Sequence, residues 1–328
     1  MTASSLLRNA PRDGLQALDL SRHLRGMAEL IELCFNVTLE AGGHGLIREM
    51  MFFSHAGPLL KLLDWIPGGQ PSWNQGYVWL EAGRVVGCAS AQRAHARSPR
   101  WLVANVAVHP DYRRKGIALA LMRATLDHIR DKGGHDILLQ VDDDNVGAVA
   151  LYQQLGFRRV TTQTIWKRAS HAAIPAHYAS PFDVRLRGAA EWQAQWQLAQ
   201  LTRPFGLQWN RPLETSTFRP TFWQQVEAFL EGQSVEHWIA EAASARVAGS
   251  LLINFNGWSS DTLTLLVHPD FAGQVERPLL VRGLRRLGQR PWSIAIEHPT
   301  DDEPTTALLR ELDFQPGRTF RWLMAEVK

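Results

Sequence analysis

An α/β fold with a mixed sheet, built twice from one chain, is the fold class the sequence predicts. Three observations predict it. Strand-like and helix-like segments alternate along the 328 residues. Two landmarks recur with nearly the same separation: "VAVHPDY" at 106–112 returns as "LLVHPDF" at 265–271, and "LYQQLGF" at 151–157 returns as "LLRELDF" at 308–314. Between the copies lies "ASHAAIPAHYASP", small residues with two prolines, the composition of a connector. We therefore expect a first domain over residues 1–168, a linker over 169–182 and a second domain over 183–328.

Each element has a local reason. "SRHLRGMAELIELCF" carries apolar residues at helical spacing, with Ser21 as its expected N-cap. A second helical segment is expected in "LIREMMFFSHAGPLLKLLDW". "GYVWLEAGRVVGCASAQ" reads as a hairpin turning at Ala82-Gly83. "RWLVANVAV" is a strand closed by His109-Pro110, and a helix follows it. "DILLQV" is mostly apolar, as expected of a buried strand. "NVGAVALYQQLGF" predicts a short helix with Asn145 near its start and Gly156 at its end. "FRRVTTQTIWKR" closes the first half as a strand. After the linker the same order returns: a strand near 184–186, helices around 189–202 and 219–231, then strands at "EHWIAEAA", "ARVAGSLLINF" and "DTLTLLVHPD".

The composition narrows the function classes. Apolar residues make up 45% and charged residues 20%, as in soluble globular proteins. A formal net charge of +3 does not call for a nucleic-acid partner. Cys34 and Cys88 stand in no metal or redox spacing and are expected as reduced thiols. The start, "MTASSLLRNAPRDGLQ", lacks a long apolar core of the secretory kind. No apolar run is long enough to span a bilayer, so no membrane partner and a cytoplasmic location are expected.

The stretch "HPDYRRKGIALALM" is where chemistry is expected. A strand running through a loop into a helix presents four backbone N–H groups that lack partners within the helix. With the helix dipole they favour an anion such as phosphate. Gly116 lets a ligand approach the backbone closely. Arg113, Arg114 and Lys115 add positive charge where the dipole alone disfavours it. Ala118, Leu121, Met122, Thr125 and Ile129 share the side that anchors the helix. Neither G-x-x-x-x-G-K-[ST] nor G-x-G-x-x-G is present. On spacing alone, an anion site and a solvated basic turn are equally good readings.

"VAVHPDYRRKGIALALM" resembles the coenzyme-binding motif of the GNAT superfamily of N-acetyltransferases, [QR]-x-x-G-x-[GA], through Arg113, Gly116 and Ala118. "NVGAVALYQQLGF" is similar to the family's next motif, N-x-x-A-x-x-L-Y-x-x-x-G-F, and the resemblance covers residues 14–168. It implies tandem GNAT-like acyl-CoA N-acyltransferase domains, with acetyl-CoA as cosubstrate. The backbone of Val106, Ala107 and Val108 would receive the acetyl group and pantetheine arm. Arg114, Lys115, Gly116, Ile117, Ala118 and Leu119, with Arg113, would hold the pyrophosphate, and Asn145 the pantetheine arm. Tyr152 would protonate the departing thiolate, for which a phenol of ordinary pKa near ~10 is suited. The partner would be an amine, either a small molecule or a peptide N-terminus, attacking the thioester directly. A non-catalytic acyl-CoA sensor is the alternative.

The sequence departs from better-known members at the general base. Many carry a Glu five residues before the Asn, where this chain has Gln140. Either proton removal through ordered water or an acceptor amine of low pKa that needs little help is therefore expected, with Asp142 the weak side-chain candidate. The run Asp142-Asp143-Asp144 is read as a solvated loop rather than a metal site. His109 and its echo His268 are expected to shape the turn. In the second half, Ala272, Val275 and Arg277 stand where Arg113, Gly116 and Ala118 do, and Leu309 and Asp302 where Tyr152 and Asn145 do. Glu276 at that helix start would compete with phosphate. The second domain is expected to have lost its coenzyme site.

Overall fold

The computed structural model describes residues 13–35, 75–95, 98–204, 207, 215–219, 223, 234–243, 246–257 and 259–326. The helix expected in "LIREMMFFSHAGPLLKLLDW" and nearly all of that expected at 219–231 lie outside these residues. The described chain forms two compact units. The first takes residues up to Gln140, Gly147–Arg158 and the chain from Leu323; the second takes Val141–Val146 and Arg159–Trp322.

The first unit opens with strand β1 (Gly14–Ala17), helix α1 (Leu20–Phe35) and strands β2 (Gln75–Glu81) and β3 (Arg84–Arg93). Asp19, not Ser21, caps α1: its carboxylate accepts the Ser21 N–H at 2.9 Å and the Ser21 hydroxyl at 2.6 Å. Both residue types cap well, so composition alone did not fix the position. The hairpin turns at Ala82 and Gly83 as expected, with φ of 48° and 72°. Positive φ at both central residues matches the twist of the flanking strands. Strand β4 (Arg100–Val108) pairs antiparallel with β3, and helix α2 (Ile117–Asp131) leads to strand β5 (Asp136–Asp142), parallel to β4.

The two helices sandwich this sheet. Leu24, Met27, Ala28 and Ile31 of α1 pack on Val78, Leu80, Cys88 and Ala107. Ile117 and Leu121 of α2 pack on the other face, against Val86, Ala89, Val106 and Val108. Gly87 permits that approach, because a Cβ there would meet Ile117 Cγ2 at 2.9 Å. The buried side of α2 is Ile117, Leu121, Met122, Thr125 and Ile129, so Ile117 rather than Ala118 completes the expected stripe.

Helix α3 (Val146–Gln154) precedes strand β6 (Arg158–Arg168). Strand β6 belongs to the second unit almost entirely. It runs antiparallel to β11 (Ile294–Pro299), from Ile294↔Arg168 to Pro299↔Gln163. Strand β6 thus packs with the second compact unit. The second half repeats the element order of the first: β7 (Asp183–Leu186), α4 (Trp192–Leu201), β8 (Ser234–Glu241), β9 (Val247–Phe255), β10 (Asp261–Val267), α5 (Glu276–Leu287), β11, α6 (Glu303–Glu311) and β12 (Gln315–Glu326), the last ending in the first unit. Its core joins Leu251, Ile253, Leu279, Leu284, Ile296, Leu309 and Phe314 to Trp166 of β6. No helix among the described residues is long and apolar enough to cross a membrane.

At the start of β10, Asp261 is fully buried and accepts Arg290 Nε at 2.6 Å and the Asn256 N–H at 2.9 Å. Removing one partner of a buried pair leaves an uncompensated charge. Arg290→Ala is expected to cost roughly 3–5 kcal/mol of stability. Urea unfolding checks this; a loss below about 1 kcal/mol would show that water replaces the guanidinium.

Candidate active site

The two parallel strands separate within the first unit. Their register runs from Arg100↔Asp136 to Val103↔Leu139, although β4 continues to Val108 and β5 to Asp142. On the β3 side, Cys88 faces Ala107 and Ser90 faces Ala104, so two steps of β3 oppose three of β4. That is a β-bulge in β4, and a bulge bends its strand. Asn105 stands in it with φ 54°. Among the described residues, the edge of β4 from Ala104 to Val108 is thus without a partner strand on the β5 side. Strand-edge N–H and C=O groups can pair with an extended ligand. This edge contains Val106, Ala107 and Val108.

The cationic turn follows directly. His109 Nδ1 accepts the Asp111 N–H at 3.3 Å, closing a 3₁₀ turn over Pro110–Tyr112, the turn role expected of it. Arg113 Nε donates to the Val108 carbonyl at 3.1 Å, tying the turn to the end of β4. Arg114 and Gly116 both have left-handed backbone, φ 64° and 78°. A Cβ on Gly116 would meet nothing within 4 Å, so the space over it is open. Lys115 Nζ lies 4.8 Å from the Tyr112 ring. Arg113, Arg114, Lys115 and Gly116 are all exposed.

Helix α2 begins beyond Gly116 with no side chain capping it and no acid in its first turn. Its first internal bond runs from the Ala120 N–H to the Gly116 carbonyl at 3.0 Å. The N–H groups of Ile117, Ala118 and Leu119 therefore open onto the same exposed turn as the three cations. Three cations, three free donors and the positive end of the helix dipole make this a strongly anion-attracting surface.

Helix α3 places Tyr152 in the same unit, 4% exposed, with its ring 5.9 Å from that of Phe157. Burial pushes its phenol above the ordinary tyrosine value, so the group keeps its proton well past neutral pH. Asn145 precedes the helix, is exposed, and donates its N–H to the Asp142 carbonyl at 3.1 Å. It lies in the chain of the second unit, with Asp142 and Asp143. Gln140 is exposed on β5.

The aspartate run is not a free solvated loop. Asp142 accepts Arg318 Nε at 2.5 Å, and Asp143 is held by Arg321. Asp142 is thereby engaged by a guanidinium and is not a free carboxylate turned towards an amine. No cluster of three or more metal-ligating side chains occurs among the described residues. The thiols are free. Burial pushes Cys88 up to about 12 and raises Cys34, so neither offers a thiolate nucleophile near neutral pH.

The second unit repeats the geometry and changes the chemistry. The β10–β11 register also stops early, from Asp261↔Ile294 to Leu263↔Ile296, with β10 running on to Val267. His268 Nδ1 again accepts the N–H two residues on, at 3.2 Å. Here, however, the Gly273 N–H donates to Glu276 Oε1 at 2.7 Å, and Glu276 is 5% exposed. The protein's own carboxylate sits at the helix start that the first unit leaves open.

Residues 45–157 match the family described as acetyltransferase (GNAT). The chain is 38% identical over 91 residues to a mycothiol acetyltransferase of Thermobispora bispora, covering 26% of this chain and 31% of that protein. It is 40% identical over 57 residues to the [ribosomal protein bS18]-alanine N-acetyltransferase of Escherichia coli, covering 17% of this chain and 38% of that protein. These matches span about a third of each relative. A solved structure, a tandem GNAT protein from the clavulanic acid biosynthesis pathway, has the same fold over 95% of this chain and 98% of its own, with a TM-score of 0.57 and 16% identity.

The buried phenol has a measurable signature. Tyr152 is expected to remain un-ionised at pH values where exposed tyrosines titrate, so phenolate absorbance near pH 10–11 should be the same in wild type and Tyr152→Phe. Because its folded pKa is raised, the stability it contributes is intact below about pH 10 and is lost as pH rises further. A phenolate signal near pH 10 that disappears in Tyr152→Phe would contradict this.

Proposed function

We propose that this chain, whose residues 45–157 match the acetyltransferase (GNAT) family, transfers an acetyl group from acetyl-CoA to a primary amine at a site in its first unit. The observation that carries the reading is the run from the open β4 edge into an uncapped, cation-flanked helix start. An extended thioester arm ending in a pyrophosphate needs those two features in that order.

In this reading, backbone groups of Val106, Ala107 and Val108 pair with the acetyl-pantetheine arm as an added strand would. The N–H groups of residues 114–119 and the charges of Arg113, Arg114 and Lys115 hold the pyrophosphate. The open space over Gly116 fits a close phosphate approach. A β4 backbone N–H stabilises charge developing on the thioester oxygen. The amine nitrogen attacks the carbonyl carbon, the C–N bond forms and the C–S bond breaks. Tyr152, buried and protonated, delivers its proton to the departing sulfur. Protons leaving the amine pass to solvent, because Gln140 takes none and Asp142 is held by Arg318. The acceptor is a small-molecule amine or a peptide N-terminus.

An acetyl-CoA consumption screen across amine classes tests the reading. Tyr152→Phe is expected to lower kcat by roughly 10²- to 10⁴-fold while coenzyme binding stays within about twofold. Binding of acetyl-CoA with no turnover of any amine, and no effect of Tyr152→Phe, would favour a non-catalytic sensor. Glu276 makes a second expectation: calorimetry on the whole chain should give about one coenzyme site, because a carboxylate at the second turn repels phosphate. Two equivalent sites would refute the loss of the second one.

A further inference from the structure

Asn105 interrupts an otherwise apolar stretch of β4 at the bulge where β5 is lost. Its left-handed φ of 54° is a conformation that Asn adopts with little strain and β-branched residues avoid. Its amide is oriented by its neighbours. Ser90 is 1% exposed, and its hydroxyl donates to the Ala104 carbonyl at 3.0 Å. A hydroxyl has one proton, so towards Asn105 the Ser90 oxygen acts only as an acceptor. Asn105 Nδ2 donates to it at 2.9 Å.

The amide oxygen is therefore the end turned away from Ser90. Among the described residues Oδ1 has no hydrogen-bond partner, and it is not an enclosed atom. Ser90 shares with Cys88 the α1 side of the sheet, since β3 runs regularly between them. The amide is thus drawn to the face opposite α2. A fixed, unpartnered acceptor stands one residue before the strand edge assigned above to the thioester.

We infer that Asn105 Oδ1 accepts an N–H of the acceptor amine and turns its lone pair towards the thioester carbonyl. The inference rests on the acyl transfer proposed above. A neutral primary amine has two N–H donors besides the attacking lone pair, and one hydrogen bond suffices to fix its approach. An amide takes up no proton, so Asn105 orients the nucleophile and does not act as its base. The bonds made and broken are those of the transfer itself: C–N forms, C–S breaks, Tyr152 protonates the sulfur, the amine proton goes to solvent, and solvent returns a proton to Tyr152. Orientation of this kind is worth up to roughly 10²-fold in rate.

Two variants at this position separate positioning from structure, because both tolerate a left-handed backbone. Asn105→Gly removes the oxygen, and Asn105→Asp keeps one. With the best amine from the screen, Asn105→Gly should lower kcat/KM for the acceptor about 10- to 100-fold. The KM for acetyl-CoA should stay within about twofold and thermal melting should stay near wild type, whereas Asn105→Asp should retain activity within about fivefold. Asn105→Gly as active as wild type, or both variants equally impaired, overturns the inference and leaves the acetyltransferase reading standing. Wild-type protein inert towards every amine, with acetyl-CoA bound, overturns both.

Discussion

The loss of pairing between β4 and β5 after Val103 is the constraint on which the site depends. A parallel pair that stayed in register to Val108 would satisfy every backbone group on that edge and leave nothing for a ligand. The bulge in β4 prevents this by placing three residues against two of β3. Ser90 and Asn105 hydrogen-bond across it, and Cys88 donates to the Asn105 carbonyl at 3.1 Å, so the distortion is held by side chains as well as backbone. Gly87 then lets α2 close on the opposite face, which sets the cationic turn directly beyond the open edge.

The second unit keeps this backbone geometry and changes the chemistry at its end. It keeps the early end of the β10–β11 register and the histidine-closed turn. What differs is the charge at the helix start. The first unit offers unpaired donors among three cations, and the second answers its own Gly273 N–H with the Glu276 carboxylate. Backbone shape survives duplication because packing enforces it: Val275 and Leu279 crowd Gly249 much as Ile117 and Leu121 crowd Gly87. The three cations of the first unit are exposed and under no such packing constraint, whereas Glu276 is itself buried at the second turn.

Much of this was legible in the sequence, for reasons that differ by feature. The α/β alternation, the Ala82-Gly83 hairpin and the buried β5 follow from periodicity and local turn chemistry, which act over a few residues. The turn from His109 to Leu119 was legible because its cations, glycine and following helix are contiguous. The bulge at Asn105 was not legible because "RWLVANVAV" reads as one strand; the only signal was a strand-disfavouring asparagine among β-formers. The engagement of Asp142 and Asp143 by Arg318 and Arg321 was not legible, since those partners lie more than 170 residues away in sequence. Nor was the cap at Asp19, where two good capping residues stand two apart.

The destination of β6 is the largest departure from what the chain order suggests, and its reason is also physical. "FRRVTTQTIWKR" alternates as a strand should, but nothing in that pattern names a partner, because ladder hydrogen bonds come from the backbone and are the same for any sequence. What commits β6 is its side chains. Trp166 is 3% exposed within the apolar core of the second unit, and Arg168, 4% exposed, donates to the Leu312 carbonyl at 2.7 Å. A chain ended at residue 168 would leave that tryptophan without its core, that guanidinium without its acceptor and the β6 edge without β11. The repeat visible in sequence therefore does not by itself say which neighbour each strand takes.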